Sequence, residues 1–141
     1  MNDVSIIMYH YVRPLKDSQY PGIKGLEFQK FKQQLDFVEK NYVVVTANEL
    51  IHSAGDDEYR LPKNACLLTF DDGYRDHFDY VLPELLRRGL QGSFFPPAKC
   101  ITERSMLDVN KIHYILATCN NSEQLVIELE QLSLDNGISE S

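Results

Sequence analysis

The apolar run at residues 65–70, ACLLTF, stops abruptly at Asp71, Asp72 and Gly73. A run this short with no polar alternation needs cover on both faces, which is the condition of a central strand in a parallel sheet. Pro62 in front and the acid-acid-glycine step behind set its limits. Two adjacent carboxylates at the end of a buried strand are costly, because like charges oppose each other's ionisation and both resist leaving water. A bound divalent cation removes that penalty. Successive residues leaving a strand point in divergent directions, so one carboxylate can hold a metal while its neighbour faces the metal-bound water. Gly73 lets the chain turn sharply. The same three residues also fit a plain turn whose side chains cap the following helix.

Around this strand, the chain alternates between strand and helix patterns. Residues 5–9 (SIIMY) read as a buried strand, and residues 10–25, with Pro14, Pro21, Gly22 and Gly25, as a long loop. Over residues 26–42, Phe28, Phe31, Leu35 and Val38 recur at helical spacing and predict an amphipathic helix. Residues 43–45 are a β-branched strand candidate, and Thr46-Ala47-Asn48-Glu49 is a capping-box pattern opening a short helix to His52 or Ser53, with Gly55 as its stop. Residues 81–88 predict a helix with Pro83 in its first turn and Gly89 at its end. GSFF at 92–95 is the fourth strand, cut off by Pro96-Pro97. Asp108 is the expected cap of a helix over 109–117, and Ser122 of one to about 134 in which Leu125, Leu129 and Leu132 share a face. The alternation predicts an α/β fold with a mainly parallel sheet, whose chemistry gathers at strand C-termini. Two loops meet that condition: His10-Tyr11 and residues 71–74.

At 141 residues the chain is sized for one domain. A compact protein of its mass exposes ~7,500 Å² of the ~23,600 Å² its unfolded chain exposes. The balance of 21 acids against 14 bases argues against nucleic acid or an anionic membrane surface as a partner. The charge is uneven: residues 1–100 carry 14 acids and 12 bases, and residues 101–141 carry 7 and 2. Cys66, Cys100 and Cys119 form no CxxC pair and read as reduced thiols. Together with an N-terminal stretch that lacks a cationic start and a long apolar segment, they point to the cytoplasm. No stretch approaches the ~20 apolar residues of a membrane-spanning helix.

The segment TFDDGY, residues 69–74, resembles the first motif of the polysaccharide deacetylases, carbohydrate esterase family four. MYHYV (8–12), FDYVLPELLRRG (78–89) and GSFF (92–95) are similar to that family's opening strand, the helix after the motif and the next strand, in the right order over residues 5–97. Residues 94–113, from FFPPAK to LDVNKIH, are similar to a subgroup associated with bacterial cell-surface sugar biosynthesis. The resemblance implies a deformed (β/α) barrel that hydrolyses the N-acetyl group of an N-acetylated sugar or polysaccharide with one divalent metal, commonly zinc. It makes Asp71 the general base and Asp72 a metal ligand. His10 and Tyr74 become substrate contacts, with the backbone near Tyr74 at the developing oxyanion; His10 equally fits a structural role.

The pattern also breaks. The family takes further metal ligands from a His-(Ser/Thr)-x-x-His segment after the fourth strand and a general acid from a later histidine. Here the histidines are His10, His52, His77 and His113, and no two are four residues apart. His77 reads as a surface residue at the pocket mouth, His113 as a partly buried helix residue and His52 as a complement to its helix's C-terminal dipole. Four strands are fewer than a closed barrel needs. The expectation is therefore a partial, open barrel, the N-terminal portion of a deacetylase-like domain over residues 1–141. It comprises a body at 1–100 and an acidic helical tail at 101–141, with an incomplete metal site and weak or absent activity. An open sheet edge would invite self-association. The alternative is a non-catalytic half-barrel that binds a partner chain or a glycan.

Overall fold

The computed structural model describes residues 3–138. In chain order its elements are β1 (Val4–Tyr9), β2 (Val12–Arg13), β3 (Leu26–Glu27), α1 (Phe28–Asn41), β4 (Val43–Val44), α2 (Ala47–Gly55), β5 (Ala65–Asp71), a π-helical turn (His77–Val81), α3 (Leu82–Arg88), β6 (Ser93–Phe95), α4 (Ala98–Thr102), α5 (Asp108–Thr118) and α6 (Ser122–Asp135). Every strand pair is parallel. β1 runs the length of β5 from Val4 opposite Ala65 to Tyr9 opposite Phe70. β4 pairs with the start of β5 and β6 with its end. The fold is α/β, a partial, open (β/α) barrel with β5 at its centre and β1 at an edge.

Alternation gives the sheet two unlike faces. One face carries Ile7, Tyr9, Cys66, Leu68 and Phe70, which pack on Phe31, Leu35 and Val38 of α1 and on Val81 and Leu85. Tyr9 stacks on Phe70 at 5.2 Å between ring centroids and meets Phe31 edge-on at 5.1 Å. Gly92 lets β6 approach this core, since a Cβ there would lie 2.7 Å from the Phe70 ring and 2.9 Å from Leu85. The other face carries Val4, Ile6, Met8, Ala65, Leu67 and Thr69. Its lower end is covered by Val45, Leu61, Leu50 and Tyr59. Its upper end is open at the edge strand, leaving Ile6 60% and Met8 59% exposed. The accessible surface is 10,189 Å², well above the ~7,500 Å² of a compact protein of this mass, an excess the open face shares with the tail, where α6 buries no residue.

Several boundaries differ from the sequence reading. The segment read as a loop at 10–25 contains β2, which pairs with β3, so α1 starts at Phe28 rather than 26. The capping box is present, with Glu49 N–H donating to Thr46 Oγ1 (3.1 Å) and Thr46 N–H to Glu49 Oε2 (2.7 Å). Gly89 ends α3 in the left-handed conformation, φ 67°. Before α3 the ladder widens by one residue, Leu82 N–H reaching His77 O. The reason is Pro83, which has no N–H and whose ring crowds the carbonyl of residue 79. Asp108 does not cap α5. It lies in the first turn and pairs with Lys111. The α6 cap is Asn121, not Ser122, because the Asn121 side chain reaches the N–H groups of both Glu123 and Gln124. α6 buries no residue.

Candidate functional site

β5 delivers the motif to the end of the sheet. Asp71 is its last residue, half-buried and in register with Phe95 of β6. The chain then passes through two left-handed residues, Asp72 at φ 69° and Gly73 at φ 63°. For a side chain that conformation costs about 1–2 kcal/mol, and Asp tolerates it better than most. Gly73 is required twice over, because a Cβ there would also lie 2.8 Å from Pro96 Cβ. The Pro96-Pro97 segment after β6 is thus pressed against the acidic turn.

Tyr74 fixes the Asp72 carboxylate. Its hydroxyl donates to Asp72 Oδ2 at 2.6 Å and lies 2.9 Å from the side-chain amide oxygen of Asn110 on α5. One phenolic proton cannot serve both acceptors, and turning the Asn110 amide by half a rotation lets its NH₂ donate to Tyr74 while Tyr74 donates to Asp72. Burial first, and the bond to Asp72 second, push the Tyr74 phenol far above its ordinary pKa. Tyr74 stacks on Tyr11 at 4.1 Å. Tyr11 in turn meets His113 and Tyr114 of α5 edge-on.

His10, at the C-terminal end of β1, has an exposed side chain that lines a cleft of about 370 Å³ together with Tyr9, Tyr11 and Lys24. Its carbonyl accepts from His77 Nε2 at 2.8 Å. His77 is not a surface residue. It is 4% exposed and wedged among Phe70, Tyr74 and Phe94, and burial holds its pKa below the usual value. Two packed loops therefore meet through one imidazole. His113 is exposed rather than partly buried, its Nδ1 3.4 Å from the Tyr11 hydroxyl. His52 sits in the last turn of α2 and stacks on Tyr59.

Beside the turn, Arg13 of β2 and Asp76 form an ion pair, each side chain 12% exposed. Arg13 also donates to the Tyr114 hydroxyl. Burial raises the Asp76 pKa despite the adjacent guanidinium. Arg13, Asp76, Asn110 and Tyr114 were not singled out by sequence reasoning. Their separations of 63, 36 and 101 residues leave no local spacing to read. The body and the first tail helix are joined here, and Gly22 seats against the Ala117 backbone, where a Cβ would come within 2.7 Å of its carbonyl.

A resident metal does not fit the residues present. Among the described residues no three His, Cys, Asp or Glu side chains gather to hold an ion. Asp72 alone, already accepting from Tyr74, is far from the three protein donors a catalytic zinc site uses.

No protein-family model matches this sequence, and no curated protein does. Solved structures do. The chain superposes on a de-N-acetylase from Aggregatibacter actinomycetemcomitans with TM-score 0.55 and 23% identity, over 66% of this chain and 37% of that one. For IcaB from Ammonifex degensii the values are 0.54 and 29%, over 70% and 41%. For the Streptococcus pyogenes deacetylase PplD, in complex with acetate, they are 0.52 and 18%, over 77% and 50%. The chain has a deacetylase-like fold and spans half or less of the length of each of these structures. Among the described residues no helix is long and apolar enough to cross a membrane.

Proposed function

We propose that this chain is the N-terminal portion of a metal-dependent carbohydrate N-deacetylase, bearing one half of its site. The observation that carries the reading is the Asp71-Asp72-Gly73 turn. It stands at the C-terminal end of the central strand, in a fold similar to three deacetylases. Asp71 is the base that takes the proton of the attacking water, and Asp72 is one donor of a metal site, commonly zinc, whose remaining donors are not among the described residues. His10 and Tyr74 stand at the rim as contacts for an N-acetylated sugar or polysaccharide. Tyr74 has a second task, since its hydroxyl holds the Asp72 carboxylate in one orientation.

Nuclear magnetic resonance titration with an N-acetylglucosamine oligomer tests the substrate half of this reading. The expected result is saturable shifts at His10, Asp71, Asp72 and Tyr74, with no release of acetate and no tight zinc uptake by calorimetry. Shifts confined to other parts of the chain would overturn it. Acetate release abolished by Asp71→Asn would instead establish the base while showing that the half-site works alone.

The second reading, a non-catalytic half-barrel that binds a glycan or a partner chain, is favoured by the donor set around Asp72. It predicts the same sugar-induced shifts, or partner binding, with neither Asp71 nor Asp72 needed for affinity. Asp72→Ala therefore separates the two, because it frees the Tyr74 hydroxyl that the hydrolase reading uses as a sugar contact: weakened sugar binding supports the hydrolase lineage, and unchanged binding supports the module.

A further inference from the structure

The three outer strands of the sheet end differently. β4 has two residues, and β6 has three and runs into Pro96-Pro97. Short strands and proline are the usual guards of an exposed edge. β1 has neither guard. It offers six uncharged residues, Val4–Tyr9, paired with β5 along one side and with no strand on the other among the described residues.

We propose that the free edge of β1 is the docking site for a second copy of this chain, the two β1 strands pairing antiparallel across a two-fold axis. The inference uses no catalytic residue and applies to the 141-residue chain, which has no further strand to cover β1 among the described residues.

Apolar side chains stand on both faces beside this edge, joined on the helix-covered side by Lys30, Gln33 and Gln34. On the open face stand Ile6 and Met8, and on the helix-covered face a cleft of about 510 Å³ runs along Ile7, Tyr9, Val38 and the 60%-exposed Phe37. Tyr9 lines that cleft, and its hydroxyl is buried without a hydrogen-bond partner. An added strand at this edge therefore meets Ile6 and Met8 on one face and Ile7, Tyr9 and Phe37 on the other, with Lys30, Gln33 and Gln34 at the rim of α1.

The fit is to β1 itself. Opposed residues of an antiparallel pair lie on the same face, so two copies keep their apolar faces aligned only when odd numbers oppose odd and even oppose even. Two such registers centre on the strand. One sets Ile6 against Ile6, and the other sets Ile7 against Ile7 with Ile6 against Met8. A one-residue slip would put each open face against the partner's covered face. Charge selects the same direction. Asp3 precedes β1, while Lys24 lines the separate cleft of about 370 Å³ at the strand's far end, beside Tyr9 and His10. The antiparallel arrangement brings each Asp3 toward the partner's lysine end, and a parallel one would set Asp3 against Asp3. The apolar surface such a pairing would cover is present at this edge: Ile6, Met8 and Phe37 are 60%, 59% and 60% exposed. The resulting dimer has one continuous sheet with the two Asp71-Asp72 turns at its opposite ends.

Sedimentation equilibrium of the whole chain should show the mass doubling from 16.3 kDa as concentration rises through the micromolar range. The β1 amides should become slower to exchange hydrogen over the same range. The double variant Ile6→Lys with Met8→Lys places like charges opposite each other in both registers, at positions the monomer leaves exposed. It should remain monomeric with unchanged circular dichroism, as should the corresponding double glutamate variant. Mixing the two should restore a one-to-one dimer. A wild type that stays monomeric throughout overturns the proposal, as does a dimer that persists in the lysine variant, open-ended assembly, or protection that appears on α6 instead of β1. If either variant misfolds, the concentration dependence of wild-type exchange decides alone.

Discussion

The two faces of the one sheet differ in what they lack. Ile7, Tyr9, Leu68 and Phe70 on the helix-covered face are packed by α1 and α3 until Phe31, Leu35 and Leu68 show essentially no surface. On the open face Ile6 and Met8, one residue away on the same strand, are more than half exposed. The strand places an isoleucine on each side, Ile6 on the open face and Ile7 on the covered one. The difference therefore comes from what the chain supplies to cover each side, and the packed core lies on one side while the exposed apolar residues of β1 lie on the other.

The largest test of that contrast is Phe31→Ala, which empties the centre of the covered face and should cost about 3–5 kcal/mol. Urea denaturation measures it, and a loss below about 1 kcal/mol would show that the covered face is not the stabilising one. Gly73→Ala sharpens the comparison at the strand's end. Its positive φ and the contact with Pro96 should cost about 1–3 kcal/mol, read as a lower melting temperature and altered signals from Pro96-Pro97.

A smaller effect is expected from pH. His77 donates through Nε2 to His10 O, so its buried, unpartnered Nδ1 takes up a proton with no acceptor nearby. Burial depresses its pKa, and Asp76 and Asp72 pull the other way without overcoming it. Because the folded value lies below the unfolded value of 6.5, this contribution to stability is complete above pH 6.5 and is lost as pH falls through the folded-state pKa. The urea midpoint should fall between pH 7.5 and 5.5, and His77→Gln should flatten that slope. An unchanged slope would assign the pH dependence elsewhere. Least of all, Met8→Ser on the open face should shift stability by no more than about 0.5 kcal/mol, measured at concentrations low enough to keep the chain monomeric.

Much of the local structure was legible. The capping box at Thr46 and Glu49, the left-handed stop at Gly89 and the buried run ending at Asp71 each depend on neighbours a few residues apart, and such rules act within a sequence window. Where two local rules competed, the sequence was ambiguous. Asn121 and Ser122 are both good caps, and only the observed backbone let Asn121 reach two N–H groups. Pro83 signalled a helix start, but its effect on the turn before it, the widened ladder from His77 to Leu82, depended on that turn already being helical.

The candidate site divides along the same line. Asp71, Asp72, His10 and Tyr74 could be placed at strand ends because a parallel sheet presents its loops there. Their partners could not. Tyr74 meets Asn110, Arg13 meets Asp76 and Tyr114, and His77 meets the His10 carbonyl across 36 to 101 residues. The order of apolar and polar residues determined by itself which segments pair or coil, since hydrophobic burial follows periodicity. Which face stays bare, and which distant side chain steadies an acid at the rim, was decided only when long-range packing set the elements against one another.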